Sequence, residues 1–532
     1  MSNPNHHSFG FWSHSEAPYF SPSRLRDIPT GFREPMHIVQ DVQTGAIGVG
    51  IGGQRSTAGY PLLATLPPIY PEWLGDRGFA HRHGVRFNYV AGAMANGIAS
   101  ERLVMEMARN GFLSFFGAAG LSVERVKSAL NELERSLPEQ SWGANLIHSP
   151  NEPDLESEIA ALYIQRGVRR VSAAAYMKLT PYVVRYALHG LHRDSSGAIQ
   201  RKNHLFAKIS RPEVAIHFMR PAPQKMVQEL LRKGWITDEE ARLAALVPVA
   251  EQFSIEADSG GHTDNQSLSA LFPTISALRT QVMQEHAYER PIYLGAGGGL
   301  GTPEAIAGAF AMGASYVLTG SVNQACVESG LHQKGKEMLA KAGLADVEMA
   351  PAADMFELGV EVQVLKRGTM FASRAKFLYR LYRQYKSLAD ISDTERMRLE
   401  KEFFHQALDE AWRSTEAYWQ SRDPREVARA NRDPKHQMAL LFRSYLGQSS
   451  KWAINGVHSR LMDYQIWCGP AMGAFNRWVK GSFLEAPSQR QVVQVAKNLM
   501  EGAAVIARAQ QLRSFGVALP SEAFSYEPRP LS

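Results

Sequence analysis

Two glycine-rich segments near the middle of the chain have the composition of a phosphate-binding site. Residues 294–302 read Leu-Gly-Ala-Gly-Gly-Gly-Leu-Gly-Thr, and residues 317–321 read Val-Leu-Thr-Gly-Ser. Each is predicted to be a buried strand that ends in glycines, with a helix over 303–313 between them that has Pro at its first turn. Glycine lets backbone N–H groups approach phosphate oxygens, and a helix start adds a favourable dipole. This order of elements is typical of the phosphate end of a (β/α)8 barrel.

Two alternatives to this interpretation concern the same residues. A dinucleotide-binding turn of the Rossmann type is excluded by register, because no G-x-G-x-x-G can be drawn through 295–302. Leu300 and Thr302 stand where the third glycine would be needed. A glycine-rich connection that binds no ligand stays open as the second alternative.

His262 is the strongest single candidate for proton chemistry. Residues 254–263 are predicted to form a strand that runs out into a turn of Gly260, Gly261 and His262 at the carboxyl end of the barrel. Polar residues at this end of the strands face the active site in such barrels. Histidine donates or accepts a proton near neutral pH, and the two glycines would let the backbone approach a planar cofactor. The alternative is a loop histidine that only braces its neighbours.

Other residues at predicted strand ends have the chemistry of a cofactor site. Gly92 and Met94 lie in a loop of small residues that would let a flat ring rest on backbone, although core packing explains them equally well. Asn145 offers an amide to the edge of a heterocycle, or caps a turn. Lys208 interrupts an apolar run and should face the mouth or solvent, since a buried charge is costly. Lys178 is its rival as the cation at the mouth.

The elements that would position these residues form a regular pattern. Short apolar runs alternate with helical stretches from residue 85 to about 330, which predicts a TIM barrel with a helical insertion at about 220–249. The eight runs lie at 86–92, 112–117, 142–147, 170–175, 204–210, 253–257, 291–296 and 316–320. Residues 1–84 are predicted to be an irregular arm, a hairpin over 37–50 and a proline-punctuated linker over 61–71. Residues 331–532 are predicted to be mainly helical.

Composition limits the class of protein. The chain has 532 residues, of which 45% are hydrophobic, so it can bury a large core and is longer than one ordinary barrel. A net charge of +6 is too small to indicate a nucleic-acid partner. Two distant cysteines form neither a metal set nor a disulfide framework. No apolar run has membrane length and no signal core is present, so we expect a cytoplasmic protein without a membrane partner.

Several of these motifs together resemble a known family. They are Ala-Gly-Ala-Met at 91–94, Trp-Gly-Ala-Asn at 142–145, Ser-Gly-Gly-His at 259–262, Gly-Ala-Gly-Gly-Gly at 295–299 and Thr-Gly-Ser at 319–321. Over 85–330 the chain resembles FMN-dependent enoyl reductases and nitronate monooxygenases of the 2-nitropropane dioxygenase type. It is more closely similar to PfaD-type proteins, the separate enoyl reductases of polyunsaturated fatty acid synthases and of trans-acyltransferase polyketide synthases. The long segments 67–76, 364–371 and 463–476 carry that closer resemblance over nearly the whole chain.

The resemblance implies a set of site residues. His262 falls on the active-site histidine of the family and Asn145 on a residue that contacts the flavin. The phosphate loops of FMN fall on Gly297, Gly298, Gly320 and Ser321, and we expect Gly92, Met94, Lys208, Gly261 and Gly299 to contact the cofactor as well. Compared with the family, one residue is added in the 297–299 turn. Which backbone amides meet the phosphate is therefore left undecided by the resemblance. The insertion at 220–249 and the region after 330 have no counterpart in the related stand-alone reductases.

The resemblance also implies a reaction and partners. NADH or NADPH would reduce FMN, and the hydride would pass to a trans-2-enoyl thioester on an acyl carrier protein of a synthase. The basic helix face from Arg374 to Lys386 could receive that acidic protein, or be a solvated face without a partner. A homodimer stays an open alternative. Rival functions are a nitronate oxidase that needs no carrier protein, and a non-catalytic component of a synthase.

Overall fold

The centre of the protein is a closed barrel of eight parallel strands. The computed structural model describes residues 9–148 and 152–532. The barrel strands are Tyr89–Ala91, Leu113–Phe116, Gly143–Ile147, Arg170–Ala174, His204–Ile209, Gln252–Glu256, Tyr293–Gly297 and Tyr316–Thr319. They follow one another around the barrel in chain order, and the eighth strand pairs with the first to close it. The predicted fold and all eight predicted strands are confirmed.

Aromatic side chains fill the barrel interior. Phe115 on the second strand and Phe206 on the fifth meet with ring centroids 5.0 Å apart, which is a contact across the barrel. Phe79, from the helix Arg77–His83 before the first strand, stacks on Tyr316 of the eighth strand at 4.4 Å. Because side chains alternate along a strand, these contacts fix which residues face inward at every level.

A buried histidine and a partly buried one lie at the opposite end of the barrel from the carboxyl ends of the strands. His83 ends the helix Arg77–His83 and His204 begins the fifth strand, and their rings lie 5.0 Å apart. Arg170 Nε donates a hydrogen bond to His83 Nδ1 at 3.3 Å. Burial first, and nearby arginines second, lower the pKa of His204 to about 3. Burial likewise holds the pKa of His83 well below its usual value, so both imidazoles are neutral in the folded protein.

This pair predicts a loss of stability in acid. In the unfolded chain both histidines take up a proton near pH 6.5, whereas in the folded protein they stay neutral to much lower pH. The two histidines therefore do not affect stability above that pH, and they lower the free energy of unfolding as the pH drops toward 3. For His204 alone the cost at pH 5 is about 2 kcal/mol. We expect His204→Gln to reduce the fall in Tm between pH 7.5 and pH 5. His81→Gln, an exposed position on the same helix, should leave that fall unchanged. An equal fall in wild type and His204→Gln would contradict the prediction.

Helices surround the barrel, and one of them arrives from the far end of the chain. Seven come after their strands in the sequence: Glu101–Arg109, Val123–Ser136, Pro153–Arg166, Pro181–Leu188, Pro212–Met219, Leu268–His286 and Pro303–Ala311. The eighth place is taken by Val492–Ser514, which packs between Pro303–Ala311 and Glu101–Arg109. Gly502 makes this approach close, since a Cβ there would lie 2.6 Å from Pro303 Cγ. The chain between the eighth strand and this helix is therefore an insertion into the barrel.

That insertion forms most of the C-terminal half. Its helices are Ser321–Gln324, Gln333–Leu339, Phe371–Gln384, Asp393–Arg398, Leu408–Arg422, Pro424–Ala430, Pro434–Asn455 and Ala471–Trp478, with a π-helical turn at Leu399–Phe404. The predicted helical character is confirmed. An antiparallel pair of strands, Val347–Pro351 and Glu361–Leu365, was not predicted. A second apolar core joins these strands to the helices around them.

The smaller predicted insertion also forms. Between the fifth and sixth strands lie the helices Gln224–Arg232 and Asp238–Leu243, and Thr237 and Glu240 form a capping box at the start of the second. A short hairpin of His192–Arg193 and Ile199–Gln200 precedes the fifth strand. Among the described residues no helix is both long and apolar enough to cross a membrane.

The N-terminal region is more regular than predicted. Its strands Phe11–Ser13, Met36–Gln40, Ile47–Ile51, Gln54–Ser56 and Tyr60–Leu66 form one antiparallel sheet, with a one-turn helix at Pro22–Leu25. The predicted hairpin is confirmed. The irregular arm is wrong at Phe11–Ser13, which joins the sheet, and at Pro22–Leu25. The linker is wrong over 61–66, because Pro61 stands near the start of its strand, where a missing N–H is tolerated. The first eight residues of the predicted arm lie outside the described residues.

Candidate active site

The carboxyl ends of the barrel strands form a mouth with a charged pair in it. Ser254 faces inward, since its Oγ lies 2.9 Å from the Tyr316 hydroxyl. Two residues further along their strands, Glu256 follows Ser254 and Lys208 follows Phe206, so both point into the mouth. Lys208 Nζ lies 2.8 Å from Glu256 Oε1, with side chains 27% and 15% exposed. The structure thus places Lys208 at the mouth beside a carboxylate, whereas Lys178 is exposed on the loop after the fourth strand.

The predicted ring-binding residues lie after the first strand and within the third strand. Gly92 follows the first strand, and a Cβ there would lie 2.9 Å from Leu318 Cδ2. Met94 lies in the next loop, where its carbonyl accepts a hydrogen bond from Ala99 N at 3.1 Å. Asn145 is buried, and its Oδ1 accepts from Ala119 N at 3.1 Å. This hydrogen bond fixes the plane of the amide at the edge of the mouth.

The loops after the seventh and eighth strands form the predicted glycine cradle. Gly298 and Gly299 have φ values of +88° and +72°, and a Cβ at Gly298 would lie 2.7 Å from the Ala257 carbonyl carbon. At Gly299 and Gly320, by contrast, a Cβ would meet nothing within 4 Å. Gly320 precedes the helix Ser321–Gln324, whose first N–H groups have no partner within the helix. Open space bordered by glycine backbone fits a phosphate group.

His262 lies in a strand rather than in the predicted turn. The two-residue strand Gly261–His262 pairs antiparallel with Glu361–Leu365, so His262 stands opposite Val362. Its Nε2 lies 3.2 Å from Asp354 Oδ1, and the imidazole side chain is 38% exposed. Burial acts to raise the pKa of the Asp354 carboxyl, but the hydrogen bond and charge of His262, a backbone hydrogen bond and the charge of Arg443 together hold that pKa below its usual value. An ionised carboxylate therefore orients the imidazole.

The first of the two glycines before His262 allows a close backbone crossing. A Cβ at Gly260 would lie 2.8 Å from Cys468 N, so this glycine lets the segment 467–469 cross the loop. Gly261 has a φ of +85°, a conformation that favours glycine. Gln363 Nε2 donates to Asp258 Oδ1 and to the Ser259 carbonyl, both at 2.6 Å. Through these contacts, the insertion after the eighth strand fixes the loop that carries His262.

The same insertion reaches the phosphate cradle. Ser321 Oγ accepts a hydrogen bond from Gly469 N at 3.0 Å. Gln324 Nε2 donates to the Trp467 carbonyl. The segment 467–469 therefore connects the loop after the sixth strand with the loop after the eighth, and it forms part of the wall of the mouth.

A second histidine with a carboxylate partner was missed in the sequence. His148 directly follows the third strand, and its Nδ1 lies 3.0 Å from Glu156 Oε2. Glu156 is buried and also accepts hydrogen bonds from the hydroxyls of Tyr176 and Thr180. The position of His148 at the end of an apolar strand was the available signal. Glu256, which ends the sixth strand, gave the same signal and was also missed.

Comparison with known proteins places the chain in a family. Residues 82–376 match the family model of nitronate monooxygenase, which is more than half of the chain. The enoyl reductase domain of MlnA, from the macrolactin biosynthesis cluster of Bacillus amyloliquefaciens, is 38% identical with a TM-score of 0.80. That likeness covers 83% of this chain and 99% of the domain. The chain belongs to the PfaD-type branch of the nitronate monooxygenase family.

Curated relatives are named for polyunsaturated fatty acid synthesis and for polyketide biosynthesis. One component of the polyunsaturated fatty acid synthase of Thraustochytrium sp. is 42% identical over 93% of this chain and 33% of its own length. The polyketide biosynthesis protein PksE of Bacillus subtilis is 41% identical over 82% of this chain and 57% of its own length. The chain therefore spans about a third to just over half of these two relatives. Residues 385–464 also match the inserted helical domain of [acyl-carrier-protein] S-malonyltransferase.

Proposed function

We propose that the protein is an FMN-dependent enoyl reductase that reduces the trans-2 double bond of enoyl thioesters carried by an acyl carrier protein. The observation that carries the proposal is the glycine cradle at the barrel mouth beside His262, in a chain 38% identical to an enoyl reductase domain over 99% of that domain. The synthase relatives support a role in polyunsaturated fatty acid or polyketide synthesis.

The residues of the mouth suit a flavin mononucleotide. Gly298, Gly299, Gly320 and Ser321 would hold the phosphate with backbone N–H groups and a hydroxyl. Gly297 would lie at the phosphate end as well, whereas Gly92 and Asn145 would border the ring system, with Met94 and Gly261 at its edge. Lys208 would supply positive charge near the ring. The carboxylate of Glu256, which pairs with Lys208, would partly offset that charge. When bound, the flavin accepts a hydride from NADH or NADPH and transfers it to the β-carbon of the substrate.

His262 would complete the reduction of the substrate. Hydride addition to the β-carbon leaves negative charge on the thioester oxygen and requires a proton at the α-carbon. The imidazole of His262, oriented through Nε2 by Asp354, leaves Nδ1 for the substrate, where it can donate that proton. Each turnover thus consumes one hydride and one proton and yields the saturated thioester.

The helical region supports the proposal that the substrate is carried by an acyl carrier protein. The inserted domain that residues 385–464 resemble belongs to an enzyme whose name gives an acyl carrier protein as its substrate. A thioester held on a carrier is also what a synthase would present to a separate reductase.

Purified protein tests the proposal directly. We expect a yellow protein whose flavin absorbance bleaches when NADPH or NADH is added without oxygen, and recovers when a trans-2-enoyl thioester follows. The saturated thioester should appear in equal amount to the cofactor oxidised. Oxidation of a nitronate without any pyridine nucleotide would instead support the oxidase, and a colourless protein that takes up no FMN would support a non-catalytic component.

A further inference from the structure

Four exposed arginines line one edge of the helical region. Arg422 ends the helix Leu408–Arg422, Arg425 and Arg429 lie one turn apart on Pro424–Ala430, and Arg432 follows that helix. The helix buries Val427 and Ala430, and the two arginines lie on the opposite face. All four side chains belong to exposed residues. We refer to Arg422, Arg425, Arg429 and Arg432 as the arginine ridge.

The arginine ridge stands at the rim of the barrel mouth. Arg422 Nε lies 2.5 Å from Glu152 Oε1. Glu152 directly precedes the helix Pro153–Arg166, which follows the third strand, and barrel helices begin at the mouth end. Arg425 also interacts electrostatically with Asp154 in the first turn of that helix. The ridge therefore borders the opening through which a substrate must enter.

Acidic neighbours offset part of the charge of the arginine ridge. Asp423 and Asp433 cap the helices that follow them, and Glu426 lies 2.8 Å from His436 Nε2. Arg425 pairs with Asp423 but keeps a side chain 76% exposed. Arg429 and Arg432 form no ion pair within the described chain.

The basic helix face predicted from the sequence differs in this respect. Arg374 pairs with Asp463, Lys376 with Glu348 and Arg380 with Glu395. All three carboxylates belong to the inserted region itself, so these cations hold the region together. Of the predicted face, Arg383 and Lys386 are exposed and form no ion pair within the described residues.

We propose that the arginine ridge, and not the face from Arg374 to Lys386, is the docking surface for an acidic acyl carrier protein. The proposal rests on the proposed function. A ridge at the rim would attract the acidic domain to the place where its thioester arm can enter the mouth. Charges at the edge of an interface act mainly on the rate of encounter, and salt screens them.

Charge reversal tests the ridge against a free thioester. We expect R425E/R429E/R432E to lower kcat/KM for a carrier-bound enoyl substrate about tenfold at low salt, with the difference shrinking as salt is added. The carrier domain used is one whose enoyl thioester the unaltered protein reduces with saturation kinetics. Turnover of the enoyl thioester of N-acetylcysteamine, which has no protein part, should stay unchanged. R429E/R432E leaves the Arg425–Asp423 pair intact and should show the same pattern if the triple variant is unstable.

R383E/K386E/K401E is the matched control, with three exposed cations reversed elsewhere in the helical region. We expect it to keep full activity on both substrates. A loss confined to this control would move docking to the predicted face and overturn the proposal, as would equal losses in both triple variants. Unchanged kcat/KM in the ridge variants at low salt would overturn it as well. If the unaltered protein reduces neither thioester, the proposed function itself fails.

Discussion

Replacing His262 by Ala is expected to lower kcat for enoyl thioester reduction by about 100-fold or more while the flavin stays bound. A positioned proton donor contributes about 10²–10⁴-fold to such steps. Bleaching of the flavin by NADPH should keep its rate, because no proton from His262 is needed there. Stopped-flow absorbance separates the two half-reactions, and the flavin spectrum reports binding.

Asp354→Asn is the matched control for the imidazole. The amide has the same shape but lacks the negative charge of the carboxylate, whose Oδ1 lies 3.2 Å from His262 Nε2. We expect a smaller loss of kcat, about tenfold, with a changed pH profile. Loss of flavin from His262→Ala would instead mean that its role is structural. Full turnover in His262→Ala together with inactive His148→Ala would assign the proton to the His148–Glu156 pair.

The barrel could be predicted because each strand is short, apolar and bounded by glycine or polar residues. Strands of a parallel barrel are covered on both faces, so each of them appears in the sequence as one continuous apolar run. The helix that fills the eighth place could not be placed by the same reasoning. Val492–Ser514 lies in the region that was predicted to be mainly helical, but apolar periodicity does not say which groove a helix fills, and this helix lies far from its strand in the sequence.

The candidate site was predicted in its types of residue more than in its contacts. The glycine cradle follows from local spacing, and Gly298 shows the positive φ that only glycine adopts easily. The surroundings of His262 depend on pairing with a strand about 100 residues later, which no local pattern reveals. Alternation of Val362, Gln363 and Val364 was a usable signal for that strand. Asp354, the hydrogen-bond partner of His262, lies shortly before that strand, so the same distant segment supplies it.

A substitution in the glycine cradle is expected to have the second large effect, which is on FMN binding. Gly320→Val is expected to abolish copurification of flavin and to weaken FMN binding by at least about 100-fold. The backbone at Gly320 has φ and ψ of −130° and −71°, and a Cβ there meets nothing within 4 Å, so the new side chain begins in open space. The valine would occupy space assigned to the phosphate. Losing two hydrogen bonds to a charged group costs about 3 kcal/mol, which is about 100-fold in affinity.

Two further glycines separate loss of cofactor from loss of fold. Gly308→Val makes the same change on the helix Pro303–Ala311, also into open space, and should keep both flavin and Tm. Gly298→Val forces a Cβ to 2.7 Å from the Ala257 carbonyl carbon at a φ of +88°, so it should lower Tm even without flavin. Titration with FMN and a melting curve of flavin-free protein distinguish the three variants. If Gly320→Val binds FMN as tightly as the unaltered protein, the phosphate does not lie at this end of the mouth.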